Sequence, residues 1–178
     1  MSESLIDVIV NSKKYDAKAI YDILRSLLNA GEDPNMQTKL GVTALMWAAR
    51  YGAYTAWGLG MMRLLIDAGS DANKQDKHGK TALMHAAQSG GEHGAGMMRL
   101  LLDAGANVNM QSNGGQTPLM RAAQYGGKHG ARMMHLLIDA GADVNMENVY
   151  GMTVKDFDHT NLFDNPGTGY GFSVSDSP

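Results

Sequence analysis

The chain says nearly the same thing three times. GVTALMWAARYGAYTAWGLGMMRLLIDAGSDANKQDKH begins at Gly41, GKTALMHAAQSGGEHGAGMMRLLLDAGANVNMQSNG at Gly79, and GQTPLMRAAQYGGKHGARMMHLLIDAGADVNMENVY at Gly115. The phrase restarts at Gly151 as GMTVKDF and breaks off. The steps between these glycines are 38, 36 and 36 residues. A unit this short cannot bury its apolar face alone. Neighbouring copies must stack, which makes the fold a solenoid with one elongated core, each unit touching only its neighbours.

Within each copy the letters sort into elements. Gly41, Gly79 and Gly115 mark turns, and the threonine two residues later (Thr43, Thr81, Thr117) predicts a helix N-cap. Ala44, Ala82 or Pro118 takes the first helical position, where proline is tolerated. Leu-Met and a pair of alanines (48–49, 86–87, 122–123) follow, so a first helix of about two turns is expected, able to approach a neighbour closely. A glycine-rich connection leads to a second helix carrying two methionines and two leucines at 61–65, 97–101 and 133–137. It stops at Gly69, Gly105 or Gly141, as a left-handed C′ glycine stops a helix. Extended turns at 70–77, 106–113 and 142–149 lead to the next unit.

Residues 1–40 read as a degenerate first unit. Ser2 or Ser4 is placed to cap a short helix within residues 1–15, holding Leu5, Ile6, Ile9 and Val10. From Asp16 onward, Ile20, Ile23, Leu24, Leu27 and Leu28 form one helical stripe that ends at Gly31. The expected organisation is one repeat domain at 1–165. It comprises a capping unit at 1–40, full repeats at 41–78, 79–114 and 115–150, and a partial cap at 151–165. In that cap Asp156, Phe157, Leu162 and Phe163 cover the end of the stack. Asn165-Pro166-Gly167 breaks any helix, leaving 166–178 as a flexible tail from which Tyr170 and Phe172 could fold back.

The phrases TALMWAA, TALMHAA and TPLMRAA, followed by LLIDAGSDAN, LLLDAGANVN and LLIDAGADVN, resemble the ankyrin repeat over roughly Ala19 to Phe157. The resemblance implies an all-α solenoid of helix-turn-helix units with projecting β-hairpin-like loops. It also implies a concave face made by the hairpin tips and first helices. Two departures stand out. The family's T-P-L-H phrase ends in Met46, Met84 and Met120 here, at a position the family keeps half-buried, so a side-chain hydrogen bond is lost. The units also exceed the usual length of about 33 residues. The excess falls between the alanine pair and the leucine pair, which reads as enlarged, glycine-rich inter-helix loops.

Those loops hold the first candidates for chemistry. His93 and His129 lie one repeat apart, near His135, and such a trio can be read as a metal site. The plainer reading is that the family phrase carries a Gly-His at the end of its first helix, which the insertions displace. GGEHGAG and GGKHGAR fail as phosphate cradles: no strand precedes them and no Lys-Ser/Thr follows at the required spacing. No Ser-His-Asp or paired-carboxylate logic is defensible from sequence. The Met-Met pairs have helical spacing and read as core.

The concave face is the informative constellation. The resemblance places Lys39, Leu40, Val42, Trp47, Arg50 and Tyr51 of the second unit there. From the third it adds Lys77, His78, Lys80, His85, Gln88 and Ser89, and from the fourth Asn113, Gly114, Gln116, Arg121, Gln124 and Tyr125. Tyr150 continues the row. The eighteen positions through Tyr125 hold five lysines or arginines and no acid, in a chain of formal charge −3. The acids Asp67, Asp71, Asp103, Asp139 and Asp143 lie elsewhere in the repeat. Trp, Tyr and Arg are the types enriched at binding hot spots, and charge complementarity would select an acidic partner. Tyr54 and Trp57 in the first enlarged loop are reserve candidates.

Composition narrows the classes. A pI near 6.0 gives no nucleic-acid footprint. No cysteine means no disulfide and no thiolate metal site. The opening MSESLIDVIVNSKK lacks the basic-then-apolar pattern of a secretory signal, and no apolar run approaches the ~18 residues of a membrane helix. The expectation is a cytoplasmic, non-enzymatic module without cofactor or membrane. It captures the acidic surface of another protein as an inhibitor or adaptor, for example an immunity or anti-defence protein. The alternatives are a nucleic-acid-binding ankyrin protein, resting on the basic groove, and metal binding through the loop histidines.

Overall fold

The computed structural model describes residues 4–10, 16–52, 58–89, 93–125 and 129–158. The described residues form eight α-helices and one short 3-10 helix, with no strand. They are α1 (Leu5–Val10), α2 (Ala17–Asn29), α3 (Ala44–Tyr51), α4 (Gly58–Asp67), α5 (Ala82–Ser89), α6 (Gly94–Asp103), α7 (Pro118–Tyr125) and α8 (Gly130–Asp139). The 3-10 helix spans Val154–Phe157. First helices form one layer, in which α1 packs on α3, α3 on α5, α5 on α7, and α7 on the 3-10 helix. Second helices form the other: α2 on α4, α4 on α6, α6 on α8. Among the described residues the stack runs from the α1–α2 pair to the 3-10 helix.

The predicted caps are in place. Thr43, Thr81 and Thr117 accept hydrogen bonds through their hydroxyls from the backbone N–H groups of Met46, Met84 and Met120 at 3.2, 3.3 and 3.2 Å. At α1 the cap is Ser4, whose hydroxyl accepts from Asp7 N, while the Asp7 carboxylate accepts from Ser4 in return. Leu5 and Val8 are buried; the side chains of Ile6, Ile9 and Val10, and Ser2, lie outside the described residues. Asp16 caps α2, which buries Ile20 and Leu24 and half-buries Ile23, Leu27 and Leu28. The helix-ending glycines at 31, 69, 105 and 141 all adopt positive φ.

The core follows the repeating letters: the alanine pairs of α3, α5 and α7 and the methionine pairs of α4, α6 and α8 are buried. Met46, Met84 and Met120 are buried outright, at 1%, 0% and 1% exposure, where a half-buried side chain is expected. The lost hydrogen bond is partly replaced at the first of them, because Met46 Sδ accepts from Thr43 N at 3.5 Å.

The inserted glycines are used differently from the sequence expectation. Text assigned to the enlarged loops (GLG, GAG, GAR) forms the first turns of α4, α6 and α8. Gly58 shows why glycine is required there: a Cβ would collide with the Gly52 carbonyl, so the two helices of this unit meet backbone to backbone. His93 and His129 occupy the residue just before α6 and α8, and neither makes a side-chain capping bond. Tyr54, Trp57 and the remaining connections lie outside the described residues, as do Leu162, Phe163, Tyr170, Phe172 and the segment 166–178. At the C-terminal end Val154 and Phe157 are buried. Asp156 instead stays exposed and accepts from Thr153 N, so it caps the turn and does not cover the core.

Successive units are laced together along the inter-repeat turns. Asn35, Asn73 and Asn109 each donate from Nδ2 to a carbonyl of the next unit (Gly69, Gly105, Gly141) and accept from its backbone (Asp71, Asn107, Asp143 N–H). Gln37, Gln75 and Gln111 donate both to their own turn and to the next one. The equivalent residue in the last full repeat is Glu147, which when ionised has no proton to donate. That ladder therefore does not continue from it.

Candidate partner-binding groove

The turns that begin each unit are hairpin-like. Asp76 N donates to Lys80 O and Ser112 N to Gln116 O, closing each loop, and adjacent tips join through Lys77 N to Leu40 O, Asn113 N to His78 O and Val149 N to Gly114 O. One polar side chain per unit holds the tip from inside: Thr38, Asp76, Ser112 or Asn148, three residues before the tip glycine. Lys39, Lys77 and His78 are exposed on the tips, and Tyr150 on the last tip is 80% exposed.

The first helices carry Trp47, Arg50, Tyr51, Arg121, Gln124 and Tyr125 of the predicted set, and Lys80 and Gln116 lie just ahead of α5 and α7. Trp47 is half-buried, with its ring 5.3 Å from that of Tyr51. The exposed Arg50 guanidinium lies 5.4 Å from the Tyr51 ring centroid, and the half-buried Arg121 guanidinium 5.7 Å from that of Tyr125. Tyr51 and Tyr125 remain 48% and 44% exposed, giving the face two aromatic steps. Gln116 and Gln124 are half-buried beside Arg121 on its hairpin leg and helix.

Lys80 is half-buried between the two arginines. Burial holds its pKa below the ordinary value, as do the charges of Arg121 and Arg50, while Asp76 works the other way. Burial also holds the Arg121 pKa down, opposed by Tyr125 and Asp76. Arg50 and Arg121, from the repeats on either side, thus both repel the charge on Lys80, and the three make a row of cations, one from each repeat. An anion placed on it would relieve that repulsion.

His85 departs from its expected place. It is 5% exposed, and its Nε2 lies 3.1 Å from Asp76 Oδ2. Asp76 Oδ1 meanwhile accepts from His78 N and Lys80 N at 2.8 and 2.9 Å. Burial opposes the charge on Asp76, but those backbone donors and His85 outweigh it and hold the carboxyl below the ordinary range. Burial keeps the His85 pKa below the ordinary imidazole value in spite of Asp76, and the charges of Lys80 and Arg50 push it the same way. A neutral imidazole donating Nε2–H to a carboxylate results. The acid-free face thus has one acid beneath it, which inspection of the face positions alone does not reveal. The available signal was the periodic column Thr38, Asp76, Ser112 and Asn148, whose one ionisable member faces the one histidine on a first helix.

Arg50, Tyr51, His85, Gln88 and Ser89 line a shallow depression of about 180 Å³ between the second and third units. An Asp–His pair beside a serine invites comparison with a catalytic triad. Ser89 Oγ donates to Ala86 O at 2.7 Å, so its proton is engaged away from the imidazole. Among the described residues no three His, Asp or Glu side chains converge as a metal site would require.

The family model described as ankyrin repeats (3 copies) matches residues 15–93 and 53–148. The chain belongs to the ankyrin-repeat family. A search of curated proteins gives no match. Ankyrin repeats are in general modules of protein–protein interaction, and typically non-enzymatic. Among the described residues no helix of this ankyrin protein is long and apolar enough to cross a membrane.

Proposed function

We propose that this ankyrin protein captures an acidic surface of another protein on its concave face and acts through that capture, as an inhibitor or an adaptor. The observation that carries the reading is the row Arg50, Lys80 and Arg121, in which both arginines repel the charge on Lys80, flanked by Tyr51 and Tyr125. Lys39 and Lys77 on the tips, with His78 exposed beside Lys77, extend positive charge outward from the two lysines and would speed encounter with an acidic partner. Trp47, Gln116, Gln124 and Tyr150 supply apolar and polar contact around it. In this reading residues 1–40 and the segment from 151 close the two ends of the stack, and the site of action is cytoplasmic.

The test is an affinity pull-down from the native host, with the combined variant Arg50→Ala, Tyr51→Ala, Arg121→Ala and Tyr125→Ala as control. The partner recovered by the wild type is expected to be lost in the variant and to bind through an acidic surface. If the partner is retained, the groove is not the site. If instead bare oligonucleotides bind with steep salt dependence, the face reads nucleic acid, since a phosphate backbone releases counterions on binding.

A further inference from the structure

The depression between the second and third units borders a histidine whose ring is half used. It is open to water, holds about 180 Å³, and is lined by Arg50, Tyr51, His85, Gln88 and Ser89. His85 is only 5% exposed. Its Nε2 is turned to Asp76, and among the described residues Nδ1 has no hydrogen-bond partner. Buried polar atoms are as a rule paired. With Nε2–H donated to a carboxylate, the Nδ1 of a neutral ring is a bare acceptor. It is the ring nitrogen left to an occupant of the depression.

The charges around the ring select that occupant. Asp76 and Lys80 act on it from the hairpin, and Arg50 from α3. The two cations disfavour a proton on the ring, and Asp76 favours one. A cation in the depression would be repelled by Arg50 and Lys80. An apolar group would leave Nδ1 and the Arg50 guanidinium bare. A carboxylate beside Arg50 offsets that charge and favours a proton on Nδ1. Signs then alternate from Asp76 through the imidazolium and the carboxylate to the guanidinium. The Tyr51 ring, its centroid 5.4 Å from the Arg50 guanidinium, offers an apolar wall for the stem of the docking side chain.

We propose that this depression anchors one acidic side chain of the partner, its carboxylate paired with Arg50 and accepting from His85 Nδ1, which takes up a proton from solvent as the side chain docks. Asp76 keeps Nε2–H throughout. The inference rests on the groove being the partner site. It gives the anchor a place in that groove and adds one proton to the binding reaction.

The test uses the full chain and the partner recovered from the native host, with affinity measured by calorimetry at pH 7.5 and 6.0. The wild type should bind about fivefold more tightly at the lower pH, and its binding enthalpy should follow the ionisation enthalpy of the buffer, as proton uptake requires. His85→Gln should lose both effects. A wild-type affinity indifferent to pH, or a dependence that His85→Gln retains, would overturn the anchor while leaving the groove intact. Capture of the partner by the fourfold variant at Arg50, Tyr51, Arg121 and Tyr125 would overturn the groove reading, and this inference with it. A second measurement needs no partner. The chain has no cysteine, so Gln88→Cys can carry a thiol-linked 2-carboxyethyl group, or a neutral 2-hydroxyethyl group, into the depression. In nitrogen-15 spectra the carboxylate should keep the proton on His85 Nδ1 to a pH about half a unit or more above that seen with the hydroxyethyl group. Equal titration of the two adducts would contradict the proposal, because a hydroxyl donates to Nδ1 and leaves the ring neutral.

Discussion

At the residue scale, the two classes of positive-φ glycine separate strain from collision. Gly105 ends α6 at φ 82° with open space where a methyl would go, whereas at Gly115 (φ 73°) a Cβ would lie 2.7 Å from Asn148 Cα. Gly105→Ala should cost about 1–2 kcal/mol, the ordinary left-handed penalty. Gly115→Ala should cost more, because two hairpins must also move apart; equilibrium urea unfolding of both variants checks the order. His85 sets a pH dependence. Its folded pKa is depressed, so the unfolded chain takes up the proton first, and stability falls as pH drops below about 6.5. Asp76, also depressed, adds a second loss as pH falls through the carboxylate range. Thermal melts at pH 7.5 and 5.5 should show a lower Tm at the acidic value, and His85→Gln should shrink the difference. The threonine caps were legible because a cap acts over three residues. His85 was not, because its partner Asp76 lies nine positions away, in a turn whose polar residue looks like any other hairpin residue.

At the element scale, the letters that repeat are the ones that build. Thr81→Ala removes the cap of α5 and should cost about 1 kcal/mol. Asn73→Ala removes two hydrogen bonds that join adjacent units, at 3.0 and 2.7 Å. With each net bond worth about 0.5–1.5 kcal/mol, its Tm should drop further than that of Thr81→Ala. Differential scanning calorimetry of the two variants decides it. Helix type and order were readable because alanine and methionine pairs recur in register. Helix starts were not: GLG, GAG and GAR look like loop by propensity, and in the first of them the need for glycine comes from the backbone contact of Gly58 with Gly52, which no local pattern shows. The lacing by Asn and Gln was likewise invisible, since it joins residues some 32 to 38 positions apart.

At the scale of the whole molecule, the residues that repeat make the buried core, and the residues proposed to meet a partner are mostly those that differ between units. The core is uniform from unit to unit, while the equivalent position on the first helices is half-buried Trp47 and Arg121 in two units and, in the unit between them, His85, buried against Asp76. Recognition can thus change without disturbing the stack. The fourfold variant at Arg50, Tyr51, Arg121 and Tyr125 alters two exposed tyrosines, one exposed arginine and one half-buried one. It should lose partner binding with only a few degrees' change in Tm, at roughly 2–4 °C per kcal/mol for a chain of this size. The central claim is that an acidic protein docks on the concave face. It is tested most directly by placing a photo-crosslinking side chain singly at Tyr51, Tyr125, Arg63 or Arg99 and irradiating the protein in its native host. Docking on the concave face predicts adducts to one partner, through an acidic segment, from Tyr51 and Tyr125, and none from Arg63 or Arg99 on the second helices. Adducts confined to Arg63 and Arg99 would contradict it.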